Sequence, residues 1–233
     1  MGCLERLQCD SEGRCGWIEA MTIRLGSPDF LRMFPTVVWT LQLDQEATRA
    51  INPAILRRLA DIRASAGELS AGESWQSGHA LHRLDEFRDL VQVIQATARK
   101  VLSFLEIASD DFEITGCWAN VNGIGASHGV HSHPNNFLSG VYYVRTQAGA
   151  DSINFHDPRV QTAIIRPPVT TLTADNTDQV VVRVKDGMLL LFPAWLLHSV
   201  DPNRSARERV SISFNIMFSA CAATLSPPLW GRE

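Results

Sequence analysis

The sequence predicts a mainly β fold with N-terminal helices (α+β), in which the strands form either a sandwich or a double-stranded β-helix, the jelly roll. Three observations indicate this. The chain has 233 residues and 45% hydrophobic content, which is enough for one large domain. Its first half carries apolar residues at helical spacing. From about Phe112 onward, short apolar or alternating segments are separated by Gly, Pro, Asn and Asp, as in a protein built of many short strands.

The N-terminal half is expected to supply one strand and two helices. Residues 1–20 are polar and rich in small residues, so we expect a flexible extension that precedes a single domain over 21–233. Residues 34–43 alternate and carry β-branched side chains, which predicts a strand. Residues 44–66 and 84–105 carry apolar side chains at helical spacing, which predicts two helices packed on a sheet.

The second half is expected to form the β core. The helical support would span about 44–106 and the β core about 112–218, with turn residues between the strands. The candidate strands are 112–121, 137–145, 152–156, 162–166, 179–184, 188–193 and 209–218.

Charge and hydropathy argue against nucleic acid and membranes as partners of this protein. The formal net charge of −4 offers no basic field for nucleic acid or a membrane surface. The sequence has no apolar run near 18 residues, and its first residues lack the apolar core of a secretory signal. We therefore expect a cytoplasmic protein with a small-molecule or peptide partner, with no nucleic acid and no membrane, and we leave a homodimer open.

Three histidines have positions suited to one metal ion. His131 and His133 are two residues apart, so on a strand they would point to the same face. His198 follows the apolar segment 188–192, where a strand would leave the core. A lone histidine is more often a solvated or a hydrogen-bonded core residue, but three in this arrangement favour a metal. Imidazole suits Fe, Zn, Cu and Ni, and three ligands leave positions open for catalysis.

A polar row follows in the last predicted strand. Arg209, Ser211 and Ser213 alternate with apolar residues, so the three would share one face. If that face lines the barrel, Arg209 supplies a two-pronged donor for a carboxylate. The alternative is an exposed strand face with a salt-bridged arginine.

Six short sequence motifs, in the same order along the chain as in a known family, give this sequence a family resemblance. From about Phe34 to Phe218 the chain resembles the 2-oxoglutarate- and Fe(II)-dependent oxygenases, in a mostly uncharacterised subgroup with a His-x-His-Pro-Asn motif. The motifs are FPT at 34–36, WANVN at 118–122, HSHPNNFLSGVYYV at 131–144, FHDPR at 155–159, LLLFPAWLLH at 189–198 and RVSISFN at 209–215.

The resemblance implies a double-stranded β-helix, Fe(II), 2-oxoglutarate as cosubstrate and O2. Iron would be held by His131 and His198, and the C5 carboxylate of 2-oxoglutarate by Arg209, with Ser211 completing an Arg-x-Ser clamp. In this family a carboxylate normally stands at the third ligand position, where this chain has His133. Asp157 is the nearest carboxylate that would otherwise complete the set, although it fits a turn before Pro158 as well.

The resemblance also implies an activity. The enzyme would oxidise an unactivated C–H bond, most simply by hydroxylation, and release succinate and CO2. Tyr142 and Tyr143 both follow the histidine pair; neighbours on a strand face opposite sides, and we assign Tyr142 to the cosubstrate. Substrate contacts are assigned to five side chains suited to a small polar molecule, amino acid or peptide: Asn120, Asn122, Asn135, Arg159 and Trp195.

A second resemblance leads to a different function. Cupins carry a glycine six residues before a His-x-His pair, and later a Gly, Pro and His at spacings that match Gly187, Pro193 and His198 here. The cupin glutamate is absent. This resemblance implies the same barrel, but a cupin-type dioxygenase or isomerase, or a non-catalytic ligand-binding barrel, that does not use 2-oxoglutarate.

Overall fold

The computed structural model describes residues 5–9, 11–12, 15–19, 31, 33–159 and 167–224. The chain divides into two units, Met1–Thr36 and Val37–Glu233. In the first unit, strand β1 (Glu5–Cys9) pairs antiparallel with β2 (Cys15–Glu19). The sequence analysis missed this pair of strands because each is short and mixes polar with apolar residues. The flexibility expected for residues 1–20 stays a prediction.

The second unit contains two antiparallel sheets. The larger sheet has the strand order β3-β10-β7-β12-β5-β4, and the smaller has the order β6-β11-β8-β9. The strands are β3 (Trp39–Gln42), β4 (Ser74–Gln76), β5 (Phe112–Asn122), β6 (His128–His131), β7 (Leu138–Arg145), β8 (Ser152–His156), β9 (Gln179–Arg183), β10 (Met188–Pro193), β11 (His198–Val200) and β12 (Arg209–Phe218).

Both predicted helices are present. Helix α1 (Gln45–Ile62) begins after Asp44, whose side chain accepts a hydrogen bond from the Ala47 amide at 2.8 Å and so satisfies a free N–H of the first turn. Helix α2 (Arg88–Phe104) begins four residues later than predicted, because Asp85–Phe87 forms a 3-10 turn first. A short helix α3 (Ser219–Ala222) follows β12.

Alternation along the strands sorts side chains between two cores. In β10, Leu189 and Leu191 pack in a cluster with the buried faces of α1 and α2, whereas Leu190 and Phe192 pack with residues of the smaller sheet. Burying each such side chain contributes about 1.5–3 kcal/mol. The larger sheet is therefore fixed on one face by helices, and its other face is directed toward the second sheet, where the polar residues of β5 and β12 also lie.

Most predicted strands agree with the structure within a few residues. In the second unit three strands were missed: β4, β6 and β11 are only three or four residues long and contain histidine, serine or glycine in place of an apolar pattern. The strand predicted at 162–166 lies outside the described residues. The first strand is shorter than predicted, covering Trp39–Gln42 of the range 34–43. Within the described part of the chain, the helices lack the combination of length and apolar character that crossing a membrane requires.

Candidate metal centre and carboxylate pocket

The three predicted histidines meet at one point between the sheets. His131 at the end of β6 is the cross-strand partner of His198 at the start of β11, and their ring centroids are 4.3 Å apart. His133 lies two residues beyond β6, with its ring 5.1 Å from each of the other two. One nitrogen from each ring lies within 4.8 Å of the others, which is a spacing that one metal ion can bridge.

Backbone carbonyls orient two of these rings. His131 Nδ1 lies 2.8 Å from the Gly129 oxygen, and His198 Nδ1 lies 2.9 Å from the Leu196 oxygen. A carbonyl only accepts, so in each ring Nδ1 carries the proton and Nε2 keeps its lone pair. This arrangement is typical of histidine ligands to metals.

The segment that carries His133 is fixed through its backbone. The His133 amide donates to the Ala194 oxygen at 2.9 Å, which ties this segment to the turn after β10. Asn135 follows in the left-handed conformation, at φ 63°, which asparagine tolerates better than most residues. The turn therefore reverses the chain directly after the third histidine.

Burial keeps His133 and His198 neutral. It lowers the pKa of His133 to about 3 and that of His198 to about 4, and the neighbouring imidazoles add to the effect. The lone pairs are therefore available to a metal at neutral pH without competition from protons. In the described part of the chain, no carboxylate joins the three histidines.

Arg209 is a buried cation without a counter-ion among the described residues. Only 3% of it is exposed, and burial lowers the pKa of its guanidinium. Its Nη2 donates to Asn122 Oδ1 at 3.2 Å and its Nη1 to the Ser152 oxygen at 3.4 Å, whereas its buried Nε has no hydrogen-bond partner. An uncompensated buried charge is costly, and a carboxylate ligand would relieve that cost. The pocket therefore fits the carboxylate predicted from the sequence.

One cavity of about 1120 Å³ connects the histidines with Arg209. Ser211 and Ser213 line it with Arg209, while Val210, Ile212 and Phe214 of the same strand point into the helix-side core. Other lining residues are Gln76, His79, Glu113, Trp118, Asn120, His128, Asn135, Val141, Tyr143, Ile153, Val200 and Asn215.

The assignment of Tyr142 to the cosubstrate is wrong. Tyr142 is fully buried on the helix side of the larger sheet, and its hydroxyl donates to Asn52 Oδ1 at 2.7 Å. Its neighbour Tyr143 lines the cavity. Burial raises the pKa of Tyr143, so its hydroxyl stays protonated and can donate. The alternation rule required one tyrosine to face inward, but choosing between them needed the register of β7.

Of the five assigned substrate contacts, Asn120 and Asn135 line the cavity. Asn122 lies beneath it and contacts Arg209. The other two assignments stay predictions, and neither residue lines the cavity. Trp195 is 54% exposed and lies outside the cavity lining. Arg159 is also outside it and pairs with Asp157 at the surface, an interaction that the sequence could not reveal because it depends on the conformation of one turn.

The sequence analysis missed two further cavity residues. His128 lines the cavity, and its Nε2 lies 3.2 Å from Asn122 Nδ2. His79 stacks on Trp118, with centroids 4.8 Å apart and planes at 22°, and Trp118 in turn lies 5.8 Å from the His133 ring. A signal was present for His128, which is three residues before His131, but none linked His79 to the site.

Comparisons with known proteins agree with this geometry. Residues 116–215 match the model of the family described as "Putative 2OG-Fe(II) oxygenase". This range contains the three histidines, Arg209 and Ser211. A search of curated protein sequences finds no match.

Solved structures with a similar fold include an α-ketoglutarate-dependent epimerase, a prolyl-4-hydroxylase and a protein with 2-oxoglutarate bound. The epimerase SnoN from nogalamycin biosynthesis is 14% identical, with a TM-score of 0.56, over 78% of this chain and 76% of its own. A Pseudomonas putida prolyl-4-hydroxylase is 15% identical, with a TM-score of 0.54, over 78% and 93%. HygX from Streptomyces hygroscopicus, with nickel and 2-oxoglutarate bound, is 11% identical, with a TM-score of 0.54, over 79% and 83%.

At these identities the likeness shows the fold, which is the double-stranded β-helix predicted from the sequence. The cofactors expected from the sequence, Fe(II) and 2-oxoglutarate, are those of the matched family. Residues 116–215 of this chain therefore match the 2OG-Fe(II) oxygenase family, and this match indicates a 2-oxoglutarate-dependent oxygenase.

Proposed function

We propose that this protein uses Fe(II), 2-oxoglutarate and O2 to oxidise an unactivated C–H bond of a small polar molecule, amino acid or peptide, with release of succinate and CO2. The observation that carries the proposal is the combination of three imidazoles and an uncompensated buried arginine in one cavity. The first set suits a divalent metal, and the second suits a carboxylate.

His131, His133 and His198 would hold the iron. Backbone carbonyls orient the rings of His131 and His198 before any metal binds, so these two rings need little further ordering at that step. Three protein ligands leave open positions for the cosubstrate and oxygen. Iron, 2-oxoglutarate and O2 together would supply an oxidant able to remove hydrogen from a C–H bond.

Arg209, Ser211 and Tyr143 would hold the far carboxylate of 2-oxoglutarate. Arg209 offers charge and an Nε donor with no partner in the protein. Ser211 is buried beside it on the same strand face, and Tyr143 supplies a protonated hydroxyl. Val141, Ile153 and Val200 add apolar surface to the cavity, and this surface reduces the water around the reacting groups.

The rest of the cavity supports the polar substrate class. Its wall carries amides and hydroxyls from neighbouring strands: Gln76 Nε2 donates to Asn120 Oδ1 at 3.1 Å, and Asn120 Nδ2 donates to Ser213 Oγ at 2.9 Å. Glu113 is the one acid among the lining residues that the structure describes. With Arg159 outside the cavity, a neutral or cationic substrate fits this wall better than a substrate that carries a carboxylate.

The second candidate is a cupin-type enzyme or ligand-binding barrel that does not use 2-oxoglutarate. The observation that favours it is the third histidine, because a carboxylate normally completes the iron site of the oxygenase family. Arg209 separates the two candidates, since a cupin has no need for an uncompensated buried cation beside its metal.

Succinate production tests the proposal. The Fe(II)-loaded protein is incubated with 2-oxoglutarate, O2 and ascorbate, and succinate is followed by NMR with and without mixtures of neutral peptides, amino acids and polyols. We expect slow succinate release alone and faster release with a substrate, and neither in His198→Ala. Iron binding without succinate release in any mixture would favour the cupin candidate.

A further inference from the structure

Asn122 links a histidine of unassigned role to the buried arginine. Arg209 at the start of β12 and Asn122 at the end of β5 are cross-strand partners, and Asn122 Oδ1 accepts from Arg209 Nη2 at 3.2 Å. On its other side, Asn122 Nδ2 lies 3.2 Å from Nε2 of His128, the first residue of β6. The three side chains form a chain of hydrogen bonds whose two ends, His128 and Arg209, line the cavity.

The chemistry of arginine fixes the direction of this chain. A guanidinium has donors and no acceptor, so Asn122 must turn its carbonyl oxygen toward Arg209. Its amide nitrogen, which only donates, then faces His128. His128 Nε2 must accept, and a neutral His128 therefore carries its proton on Nδ1. Burial, with the charge of Arg209 as a second cause, lowers the pKa of His128 to about 4 and keeps this ring neutral.

The chain orients Arg209 without cancelling its charge. Its acceptors are the amide oxygen of Asn122 and the backbone oxygen of Ser152, both neutral. Aspartate in place of Asn122 would form an ion pair with the arginine and compete with an incoming carboxylate. Without an acceptor at position 128, the Asn122 amide would lose the contact that opposes its rotation. A rotated amide would turn its NH2 group toward the N–H groups of Arg209, and neither donor would then have an acceptor.

We propose that His128 is a positioning residue for cosubstrate binding, which through Asn122 holds the Arg209 guanidinium in the direction that a carboxylate of 2-oxoglutarate requires. This inference rests on the proposed function, because it takes 2-oxoglutarate as the ligand of Arg209. It assigns His128 no contact with the metal and no part in proton transfer.

Paired substitutions of His128 test the inference by direct binding. His128→Leu removes the acceptor, whereas His128→Gln replaces Nε2 with an amide oxygen at a similar distance from the backbone. The control is His156→Leu, because His156 also bonds to a neighbouring side chain, Ser199, at 2.8 Å but lies outside the cavity lining. Each protein is loaded with Mn(II), and the Kd of 2-oxoglutarate is measured by calorimetry.

We expect His128→Leu to weaken 2-oxoglutarate binding by about tenfold or more, as substitutions of residues that orient a ligand-binding group commonly do. His128→Gln and His156→Leu should stay within about twofold of the wild type, and Mn(II) affinity should not change in any variant. Unchanged 2-oxoglutarate affinity in His128→Leu, or an equal loss in His128→Gln, would overturn the inference.

A second measurement needs no substitution. The 15N shifts of the histidine rings in the wild-type protein report which nitrogen carries the proton, and we expect the Nδ1-protonated form for His128. An Nε2-protonated ring would overturn the inference even if His128→Leu did not fold. If wild-type protein binds Mn(II) but no 2-oxoglutarate, the proposed function fails instead, and the two failures are thereby distinguished.

Discussion

His131 and His198 are direct cross-strand partners, with ring centroids 4.3 Å apart. One belongs to β6, a four-residue strand at the edge of the smaller sheet, and the other to β11 beside it. A metal bound by both rings would join these two strands in addition to their few backbone hydrogen bonds. Metal binding should therefore stabilise this edge of the barrel as well as create the reactive centre.

Thermal unfolding tests this stabilisation. A ligand at one hundred times its Kd stabilises the native state by about 2.7 kcal/mol, which for a chain of this length raises the Tm by roughly 5–10 °C. We expect that rise with Mn(II) or Ni(II) for the wild type and for His156→Ala, and no rise for His198→Ala. An undiminished metal-dependent rise in His198→Ala would show that the metal binds elsewhere.

Substitution of His133 tests its role as the third ligand. His133→Ala should lower metal affinity by at least about tenfold, because one of three ligands is lost. His133→Asp should retain the metal, because aspartate is the residue that the family usually places at this position. Calorimetry with Mn(II) measures both. Equal affinity for His133→Ala and the wild type would show a site with two histidines and leave His133 without a ligand role.

Arg209→Met should weaken 2-oxoglutarate binding and at the same time stabilise the metal-free protein. Loss of a charge partner in a buried site costs about 2 kcal/mol or more, so 2-oxoglutarate affinity should fall by at least about 30-fold while metal affinity is retained. The metal-free variant should be more stable than the wild type by about 1 kcal/mol, because an uncompensated buried charge has been removed.

The control for this variant is Arg183→Met, which removes an exposed arginine paired with Asp151. It should change neither 2-oxoglutarate affinity nor stability by much. Denaturant unfolding and calorimetry measure the two quantities. If Arg209→Met bound 2-oxoglutarate as the wild type does, the carboxylate pocket would be assigned to the wrong residue.

Acid should destabilise the metal-free protein through its buried histidines. Burial lowers the pKa of His128 and His198 to about 4 and that of His133 to about 3, whereas a histidine in the unfolded chain titrates near 6.5. Between these values the unfolded chain binds protons that the native protein does not, so stability falls as the pH is lowered from about 6.5 to about 4.

His128→Gln removes one of these titrating groups. Its unfolding free energy should therefore fall less steeply with decreasing pH than that of the wild type between pH 6.5 and 5. Near pH 5, unfolding of the variant should take up about one proton fewer than unfolding of the wild type. Urea unfolding at several pH values measures the difference. Parallel curves for the two proteins would show that His128 titrates equally in the folded and unfolded states.

Trp118 should report metal binding by fluorescence. Its ring lies 5.8 Å from that of His133, close enough for a bound Ni(II) or Cu(II) ion to quench it, whereas Trp195 is 54% exposed and outside the cavity lining. We expect Trp118→Phe to remove most of the metal-dependent quenching and Trp195→Phe to leave it intact. The reverse pattern would place the metal near Trp195.

Local patterns in the sequence predicted the parts of the site that depend on one strand. The alternation around Arg209 carries its own geometry, whereas β6 ends at His131 and His133 lies beyond it, so the strand rule alone does not place the histidine pair. What these patterns could not predict depended on tertiary register. Tyr142 and Tyr143 are equivalent until the pairing of β7 is known, and Arg159 turns to Asp157 instead of the cavity. The short strands β6 and β11 have too few residues for any periodicity to be detected.

The most direct test of the account is anaerobic titration of the Fe(II)-loaded protein with 2-oxoglutarate, followed by visible absorption. Chelation of iron by the keto acid gives a weak charge-transfer band, which we expect in the wild type and, at far higher 2-oxoglutarate concentration, in Arg209→Met. Iron binding without this band, and without 2-oxoglutarate binding by calorimetry, would contradict the account and favour a cupin-type function for the same three histidines.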